Sequence, residues 1–379
     1  MLAQKRLSTY AINAHQVQSA KEWGLSEVIL DVKGLSRFAK NDIASFQSLA
    51  SLAKSLDLKV MLEWDILMTE NNMQKAIELF NSLDLSAVDA IRVQDIGAIE
   101  YIFQNTDKPM QLIAEGKNHN LLSLKTYEKY LGNRLERIIL SLELTKDKLK
   151  YYQEELASEV EFLVLGRILL FYTPRNLLSA LDMKEYEDEI LALGESEESP
   201  HKGFPLIENE HGTFMFHIKH QYLIDNLDEI DFINYLRVDF RFDSEFSLLK
   251  DLISHIQEGT KTQFKELYPF DTIRGFFKIN KSNVLFKKLK NQRVQREDSN
   301  YIGVVIDAQK PSHLVLHIKD NALKAGETLI FKNPEGKEIS LPVNVIKLLD
   351  GQEVESAKKG DFVQIKYHSQ VWVKSQAYK

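Results

Sequence analysis

Short apolar segments recur along the first 180 residues, and amphipathic segments separate them. Stretches such as 41–56, 72–83 and 144–156 carry apolar residues three and four positions apart, which is typical of helices that bury one face. The predicted strands are 7–11, 27–31, 59–63, 90–93, 110–114, 137–142 and 161–165. This alternation, with a period of about 25 residues, predicts a parallel sheet with right-handed crossovers.

An eighth predicted strand, 235–240, follows an insertion at 180–234. Eight strands with intervening helices favour a TIM-like (β/α) barrel, and an open doubly wound sheet is the alternative. Within the insertion, the acidic stretch 184–200 predicts a solvated loop. Segments 204–207 and 213–218 flank a turn that contains glycine, which predicts a hairpin.

After the barrel, a helix is predicted from 244 to about 267, followed by a basic segment. Short β runs then fill the rest of the chain, with glycine-containing turns between them: 301–307, 313–318, 327–332, 338–345 and 361–367. This spacing predicts a small C-terminal all-β barrel. The predicted domains are therefore a barrel with its insertion (1–243), a helix and basic linker (244–299) and the β-barrel (300–379).

Composition narrows the class of protein. The chain has 379 residues, 44% apolar residues and a net charge of −7, as in an ordinary globular protein. No apolar run reaches the roughly 20 residues that span a bilayer, and residues 1–10 do not look like a secretory signal, so we expect a cytoplasmic protein without membrane contact. The absence of cysteine excludes disulfides, thiol nucleophiles and cysteine-held iron–sulfur clusters.

Polar residues cluster at the ends of the predicted strands, where barrel active sites are built. The candidate catalytic residues are Glu115, His119, Glu143 and Asp239, and the candidate substrate-binding residues are Gln94, Asp95, Asn120, Arg175 and Arg241. Carboxylates with one histidine could perform acid/base chemistry or hold a divalent metal that activates water. The alternative is a structural ion network at the barrel mouth. Arg175 follows a turn at Pro174, and there the alternative is a helix cap or an ion pair.

The segment 274–296 has eight basic residues and no acidic one, with three phenylalanines among them. The candidate nucleic-acid-binding residues are Arg274, Lys278, Lys281, Lys287, Lys288, Lys290, Arg293 and Arg296. Lysine and arginine neutralise phosphates, and exposed phenylalanine stacks on unpaired bases. The alternative is a linker whose phenylalanines are buried in the fold.

Other chemistry has weaker support. The histidines at 201, 211, 217 and 220 lie near the hairpin but lack the further ligands that a zinc site needs, so a solvated hairpin is the preferred interpretation. The sequence contains neither a glycine-rich phosphate loop nor a G-x-S-x-G elbow, which disfavours a nucleotide-driven enzyme and a serine hydrolase.

Several short motifs follow one another in a fixed order. They are 93–97 (VQDIG, against V-Q-D-x-G), 112–120 (LIAEGKNHN, against L-S-T-Q-x-N-x-H-N), 140–144 (LSLEL, against L-S-R-E-L), 236–241 (LRVDFR, against F-K-I-E-G-R) and 274–276 (RGF). Gly166, Tyr172, Arg175 and Ser179 keep the frame of G-A-x-C-x-S-Y-S-G-R-C-x-x-S. In these motifs the chain resembles the collagenase-like peptidase family of unknown mechanism, peptidase family U32.

The resemblance implies either a peptidase or a relative of proteins that hydroxylate RNA bases or quinone precursors with a cysteine-bound cluster. Leu169 and Asn176 stand where that family has cysteines, so this chain cannot hold such a cluster. An enzyme is one hypothesis. The alternative is a non-catalytic accessory protein that binds RNA or a cluster-bearing relative, with the acidic loop as an electrostatic autoinhibitor of the basic segment.

Overall fold

The computed structural model describes residues 6–115, 120–181, 185–186, 189–195, 202–242, 246–278, 299–334 and 336–379. The chain folds as two compact units, residues 1–281 and residues 282–379. The first unit begins with seven strands that pair in parallel and lie close to their predicted positions. They are β1 (Arg6–Thr9), β2 (Glu27–Leu30), β3 (Lys59–Trp64), β4 (Ala90–Val93), β5 (Met110–Ile113), β6 (Leu135–Ile139) and β7 (Glu159–Gly166).

A helix follows each of the first six strands. They are α1 (Ala14–Glu22), α2 (Ile43–Ser55), α3 (Glu70–Asn81), α4 (Ile96–Asn105), α5 (Leu121–Leu131) and α6 (Lys146–Glu155). Side-chain oxygens of Asn13, Asp42, Asp95 and Asn120 accept N–H groups in the first turns of α1, α2, α4 and α5. The apolar faces of these helices pack on the outside of the sheet, where Phe46, Leu62 and Ile102 belong to one continuous core.

The insertion folds as an antiparallel sheet of five strands. In chain order they are β8 (Leu169–Thr173), β9 (Glu185–Tyr186), β10 (Glu189–Glu195), β11 (Lys202–Asn209) and β12 (Gly212–Phe216), paired in the order β8-β12-β11-β10-β9. The predicted hairpin is β11 and β12. The prediction of a loop throughout 184–200 is wrong, because residues 189–195 pair with β11, with Ile190 opposite Glu208 and Ala192 opposite Leu206.

The chain then returns to the barrel through β13 (His220–Tyr222) and a 3₁₀ helix, Ile224–Ile230, to reach β14 (Tyr235–Val238). Strand β14 pairs in parallel with both β1 and β7, and a bridge between Tyr10 and Ile29 joins β1 to β2. The eight parallel strands therefore form a nearly closed barrel, and the predicted fold class is confirmed.

The predicted helix from 244 to about 267 is two helices, α7 (Leu248–Gln257) and α8 (Phe264–Leu267), followed by β15 (Thr272–Ile273). A turn at Gly259 separates the two helices. Leu249 and Leu252 of α7 and Phe264 of α8 belong to the barrel core, so both helices are part of the first unit. Among the described residues, none of the helices has the length and apolarity needed to cross a bilayer.

The second unit is an all-β half-barrel. Its strands are β16 (Tyr301–Gln309), β17 (His313–Ile318), β18 (Leu323–Lys324), β19 (Glu327–Lys332), β20 (Glu338–Val343), β21 (Ile346–Leu348), β22 (Glu353–Val354), β23 (Ser356–Ala357), β24 (Phe362–Lys366) and β25 (Gln376–Tyr378). Alternate residues such as Ile339, Leu341 and Val343 face one apolar core. The all-β part of the predicted fold class is confirmed as an antiparallel half-barrel sheet.

Candidate functional site

The inside of the barrel carries charged side chains at alternate strand positions. Arg92 of β4, Arg137 of β6, Glu161 of β7 and Arg237 of β14 are all buried. Successive residues of a strand point to opposite faces, so a charge flanked by apolar residues points into the barrel while its neighbours pack under the helices. The barrel interior is therefore an ion network surrounded by an apolar shell.

Glu161 lies at the centre of the innermost part of this network. Its carboxylate oxygens accept from Arg92 at 2.8 and 2.9 Å and from Arg137 at 2.9 Å. Arg137 also donates to both oxygens of Glu27, at 2.6 and 2.8 Å, and lies 3.2 Å from the ring centroid of Tyr235. Burial alone would raise the pKa of Glu161, but the arginines outweigh it and hold that pKa far below its usual value.

Arg237 connects this inner network to the barrel mouth. Its guanidinium lies 3.5 Å from Glu161 and also donates to the carboxylate of Glu115. Glu115, a predicted catalytic residue, is thus tied to a buried arginine at the C-terminal end of β5. This contact matches the alternative interpretation of the strand-end charges, a structural ion pair.

Arg241 organises a second cluster at the mouth. It donates to Asp239 at 2.9 Å and to Glu63 at 3.0 Å, and its guanidinium stacks 3.3 Å from the ring centroid of Tyr10. The Tyr10 hydroxyl donates to the same Glu63 carboxylate. Two acids and one aromatic ring therefore fix the position of this guanidinium.

The two acids bound to Arg241 titrate differently. Burial, followed by the nearby negative charge of Asp65, raises the pKa of Glu63 to about 7. Burial also acts to raise the pKa of Asp239, but the guanidinium of Arg241 outweighs it and the pKa of Asp239 is lowered. Near neutral pH, Asp239 is ionised while Glu63 is close to its titration midpoint.

Gly166 brings Asp239 into this cluster. Its φ of +145° is one that side-chain-bearing residues rarely adopt, and a Cβ there would come within 2.9 Å of the Asp239 carbonyl oxygen. A glycine at the end of β7 therefore allows the backbone after β14 to approach closely. Gly166, which keeps the frame of the family motif, therefore has a role in packing.

The open end of the barrel contains a cavity of about 210 Å³. Its polar lining residues are Gln94, Glu115, Glu143, Arg237, Asp239 and Arg241, together with Arg37 and Arg167. Its apolar lining residues include Phe38, Leu169, Leu170, Phe171, Phe216, Phe242 and Phe276. Such a combination of apolar surface with a few convergent polar groups is typical of a ligand site.

Aromatic residues hold the antiparallel sheet against the barrel mouth. Phe38 packs 4.5 Å from Phe214 and 4.7 Å from Phe242, measured between ring centroids, and Tyr172 stacks on Phe214 at 4.6 Å. The Tyr172 hydroxyl accepts the backbone N–H of Leu67 at 3.1 Å. The insertion is thus fixed as one wall of the cavity.

Five of the predicted site residues line this cavity: Gln94, Glu115, Glu143, Asp239 and Arg241. Asp95 and Asn120 instead cap α4 and α5, and Asp95 also accepts the backbone N–H of Met68 at 3.1 Å. Their substrate-binding roles stay predictions.

Arg175 is exposed on the loop after β8 and does not line the cavity. Strand β8 carries the chain out of the barrel into the antiparallel sheet, which explains this position. His119 lies outside the described residues.

The basic segment is described only in part. Arg274 and Lys278 are exposed, Phe277 is 1% exposed, and Phe276 lines the cavity. Burial of at least one phenylalanine agrees with the alternative interpretation of this segment. The other candidate nucleic-acid-binding residues lie outside the described residues: Lys281, Lys287, Lys288, Lys290, Arg293 and Arg296.

His217 and His220 make separate contacts, and His201 lies outside the described residues. The backbone N–H of Lys219 donates to His217 Nδ1, and the buried His220 bonds the Tyr268 hydroxyl at 2.7 Å. In the described part of the chain, no three histidine or acidic side chains come together in a group that could hold a metal ion. A metal bound by the predicted acids and His119 therefore stays a prediction.

Sequence reasoning missed Tyr10, Glu63, Arg92, Arg137 and Glu161. A signal for most of them was present, because a charged residue inside a strand with apolar neighbours on both sides must point into the barrel. Examples are the arginine in AIRV (β4) and the glutamate in KVMLEW (β3). The partners of each charge depend on the closure of the barrel.

A family model described as peptidase family U32 matches residues 12–258, well over half of the chain. This chain belongs to peptidase family U32. The resemblance found in the sequence motifs is therefore confirmed. This U32 chain is 23% identical over 345 residues to Uncharacterized protease MJ0090 of Methanocaldococcus jannaschii, with 81% of each chain covered.

Solved structures show weaker similarity to this U32 chain. The U32 peptidase Mk0906 is 11% identical over 62% of this chain and 92% of its own, with a TM-score of 0.41. N-Acetylneuraminate lyase of Proteus mirabilis is 8% identical over 69% of this chain and 78% of its own, with a TM-score of 0.38. The barrel assignment therefore rests on the strand pairing described above.

A cysteine-held cluster does not fit this U32 chain. It has no cysteine, and Leu169, at one family cysteine position, is an apolar part of the cavity wall. Asn176, at the other, lies on the exposed loop after β8. The polar side chains that line the cavity present oxygen and nitrogen atoms.

Proposed function

We propose that this U32 chain hydrolyses peptide bonds in the cavity at the barrel mouth. Glu143 would be the base that activates water, and Arg241 the cation that stabilises the oxyanion. The proposal rests on one observation: Glu143 and Arg241, which lie almost 100 positions apart in the sequence, line the same cavity. Membership of a family described as peptidases and similarity to a protein named as a protease support it.

Glu143 is the most suitable base among the acids that line the cavity. It is exposed in the loop after β6, where a water molecule can reach it. Asp239 is buried against Arg241 and its pKa is lowered, which makes it a weaker base. Glu115 is held by the guanidinium of Arg237.

Arg241 is suited to stabilise negative charge. Its guanidinium stays protonated, because burial opposes its charge but the negative groups around it, above all Asp239, together outweigh burial and raise its pKa. Glu63 and Asp239 hold it in place before any substrate binds, which is the preorganisation that oxyanion stabilisation needs.

The proposed reaction needs only water as co-reactant. Water attacks the carbonyl carbon while Glu143 takes one of its protons, and Arg241 stabilises the resulting oxyanion. The C–N bond then breaks, and the proton on Glu143 passes to the leaving amine. The products are a carboxylic acid and an amine.

Peptide cleavage by the purified chain tests this proposal. A mixture of synthetic peptides is incubated with the protein, and mass spectrometry identifies new termini. We expect Glu143→Gln to lower the cleavage rate about 100-fold or more, because the amide cannot accept a proton.

The matched control is Glu22→Gln, an exposed residue of α1 that lies away from the cavity. Its rate should equal that of the unmodified protein, and both variants should keep the same melting temperature. The absence of cleavage by the unmodified protein, or full activity of Glu143→Gln, would refute the proposal.

The second candidate function is RNA binding as an accessory protein. Arg274 and Lys278 are exposed at the start of a segment with eight basic residues and no acidic one. Filter binding of a single-stranded RNA across a salt series tests it, because each phosphate contact steepens the loss of affinity with salt. An affinity independent of salt would dismiss this candidate.

A further inference from the structure

Strand β8 forms one edge of the five-stranded antiparallel sheet. Among the described residues it pairs with β12 on one side and with no strand on the other. A terminal strand presents unpaired backbone N–H and C=O groups, to which another extended chain can bind. If this edge borders the cavity, an extended chain in the cavity could pair with it.

The open edge of β8 faces the cavity. Four consecutive residues, Leu169, Leu170, Phe171 and Tyr172, line it. Because successive side chains of a strand point to opposite faces, a cavity on one face would contact only every second residue. Because four residues in succession line it, the cavity reaches the edge of β8 as well as the face that carries Phe216 of β12.

The backbone geometry identifies groups that point away from β12. The carbonyl oxygen of Thr173 lies on the β12 side, because a Cβ on Gly212 would come within 2.0 Å of it. In an antiparallel pair, consecutive residues direct their N–H and C=O groups to opposite sides. Those of Tyr172 therefore point away from β12. The register with β12 also skips Leu170.

We propose that β8 binds the substrate as an added antiparallel strand, so that the ligand of the cavity is a peptide in extended conformation. This inference rests on the proposed function, because it assumes a peptide substrate. The apolar side chains Leu170 and Phe171 are 42% and 43% exposed beside this edge and would contact alternate side chains of the peptide.

The size and the charged groups of the cavity favour an extended peptide as its ligand. The cavity lining includes guanidinium donors and carboxylate acceptors, which complement the C=O and N–H groups of a bound peptide. A cavity of about 210 Å³ has room for part of a single extended segment but not for the sheet edge of a second copy. The substrate would then lie between β8 and the pair Glu143 and Arg241.

The test is a scan with N-methylated peptides, read out by binding. Fluorescent heptapeptides from a positional library are screened by anisotropy against the full chain, and the tightest binder is methylated at one backbone nitrogen at a time. Strand addition predicts that methylation at alternate residues weakens binding about 10-fold or more, while the intervening positions change it less than about 2-fold.

Side-chain variants supply an independent check. Phe171→Ala should weaken peptide binding about 5-fold, because apolar contact area is lost. The matched control is Leu193→Ala, an exposed leucine of β10 in the same sheet that does not line the cavity, and its affinity should not change. Circular dichroism and melting curves verify that both variants fold.

The outcomes separate this inference from the proposed hydrolysis. Alternating sensitivity without cleavage supports strand addition and refutes the hydrolase. Cleavage with uniform or absent sensitivity to methylation refutes strand addition and leaves the hydrolase standing. Failure of every library peptide to bind, or a dimer in solution that Phe171→Ala disrupts, also refutes strand addition.

Discussion

The inner network around Glu161 and the mouth cluster around Arg241 use the same residue types with opposite consequences. Glu161 accepts from two arginines and its pKa falls far below the usual value. Glu63 shares one arginine with Asp239 and has Asp65 nearby, and its pKa rises to about 7. Burial is common to both, so the number and sign of the neighbouring charges decide the difference.

This comparison distinguishes a carboxylate that only stabilises the fold from one that can take part in proton transfer. A carboxylate that stays ionised at every physiological pH contributes a fixed ion pair. One that titrates near neutrality changes the charge of its surroundings within the working range. The mouth cluster, which contacts the cavity through Asp239 and Arg241, contains a carboxylate of the second kind, Glu63.

The largest effect is expected from Glu161→Gln. The change leaves Arg92 and Arg137 buried with one negative partner fewer, and we expect a loss of about 3 to 5 kcal/mol in the free energy of unfolding. Urea denaturation at pH 7 measures it. The control is Glu155→Gln, which removes the exposed pair with Lys125 and should cost less than about 1 kcal/mol. Equal losses in both variants would mean that the inner network contributes no more to the free energy of unfolding than a surface ion pair does.

A smaller effect, dependent on pH, is expected from Glu63→Gln. The pKa of Glu63 is raised from 4.5 to about 7 in the folded protein, so protonation of Glu63 stabilises the folded state. This contribution to the free energy of unfolding is fully present below pH 4.5. That contribution, roughly 2 to 4 kcal/mol, is lost as pH rises toward 7. The difference in unfolding free energy between the two proteins should therefore change between pH 4.5 and 7 and stay constant above. A difference independent of pH from 4 to 8 would contradict the raised pKa.

The smallest effect is expected from Tyr10→Phe. The Tyr10 hydroxyl donates to Glu63 and lowers its pKa, so its removal should raise that pKa further. The upper end of the pH-dependent change described above would move to higher pH, which the same denaturation series measures. Movement to lower pH would show that this hydroxyl does not stabilise the ionised carboxylate.

Much of the first unit could be predicted because its signals are local. Eight apolar segments with helices between them define the barrel strands, and Asp95 and Asn120 act on their own following residues as helix caps. Five of the predicted site residues reach the cavity because they follow parallel strands, whose ends meet at one face of a barrel. The same rule failed for Arg175, because β8 leaves the barrel and pairs with β12 instead.

The sequence by itself determined the period of strand and helix, the family, the lack of any cysteine ligand and the set of charges near the strand ends. Only the tertiary structure decided which of those charges meet. Glu63 and Arg241 are 178 positions apart and come within 3.0 Å only because the barrel closes. A pKa depends on burial and on charges a few ångströms away, and folding supplies both from distant parts of the chain.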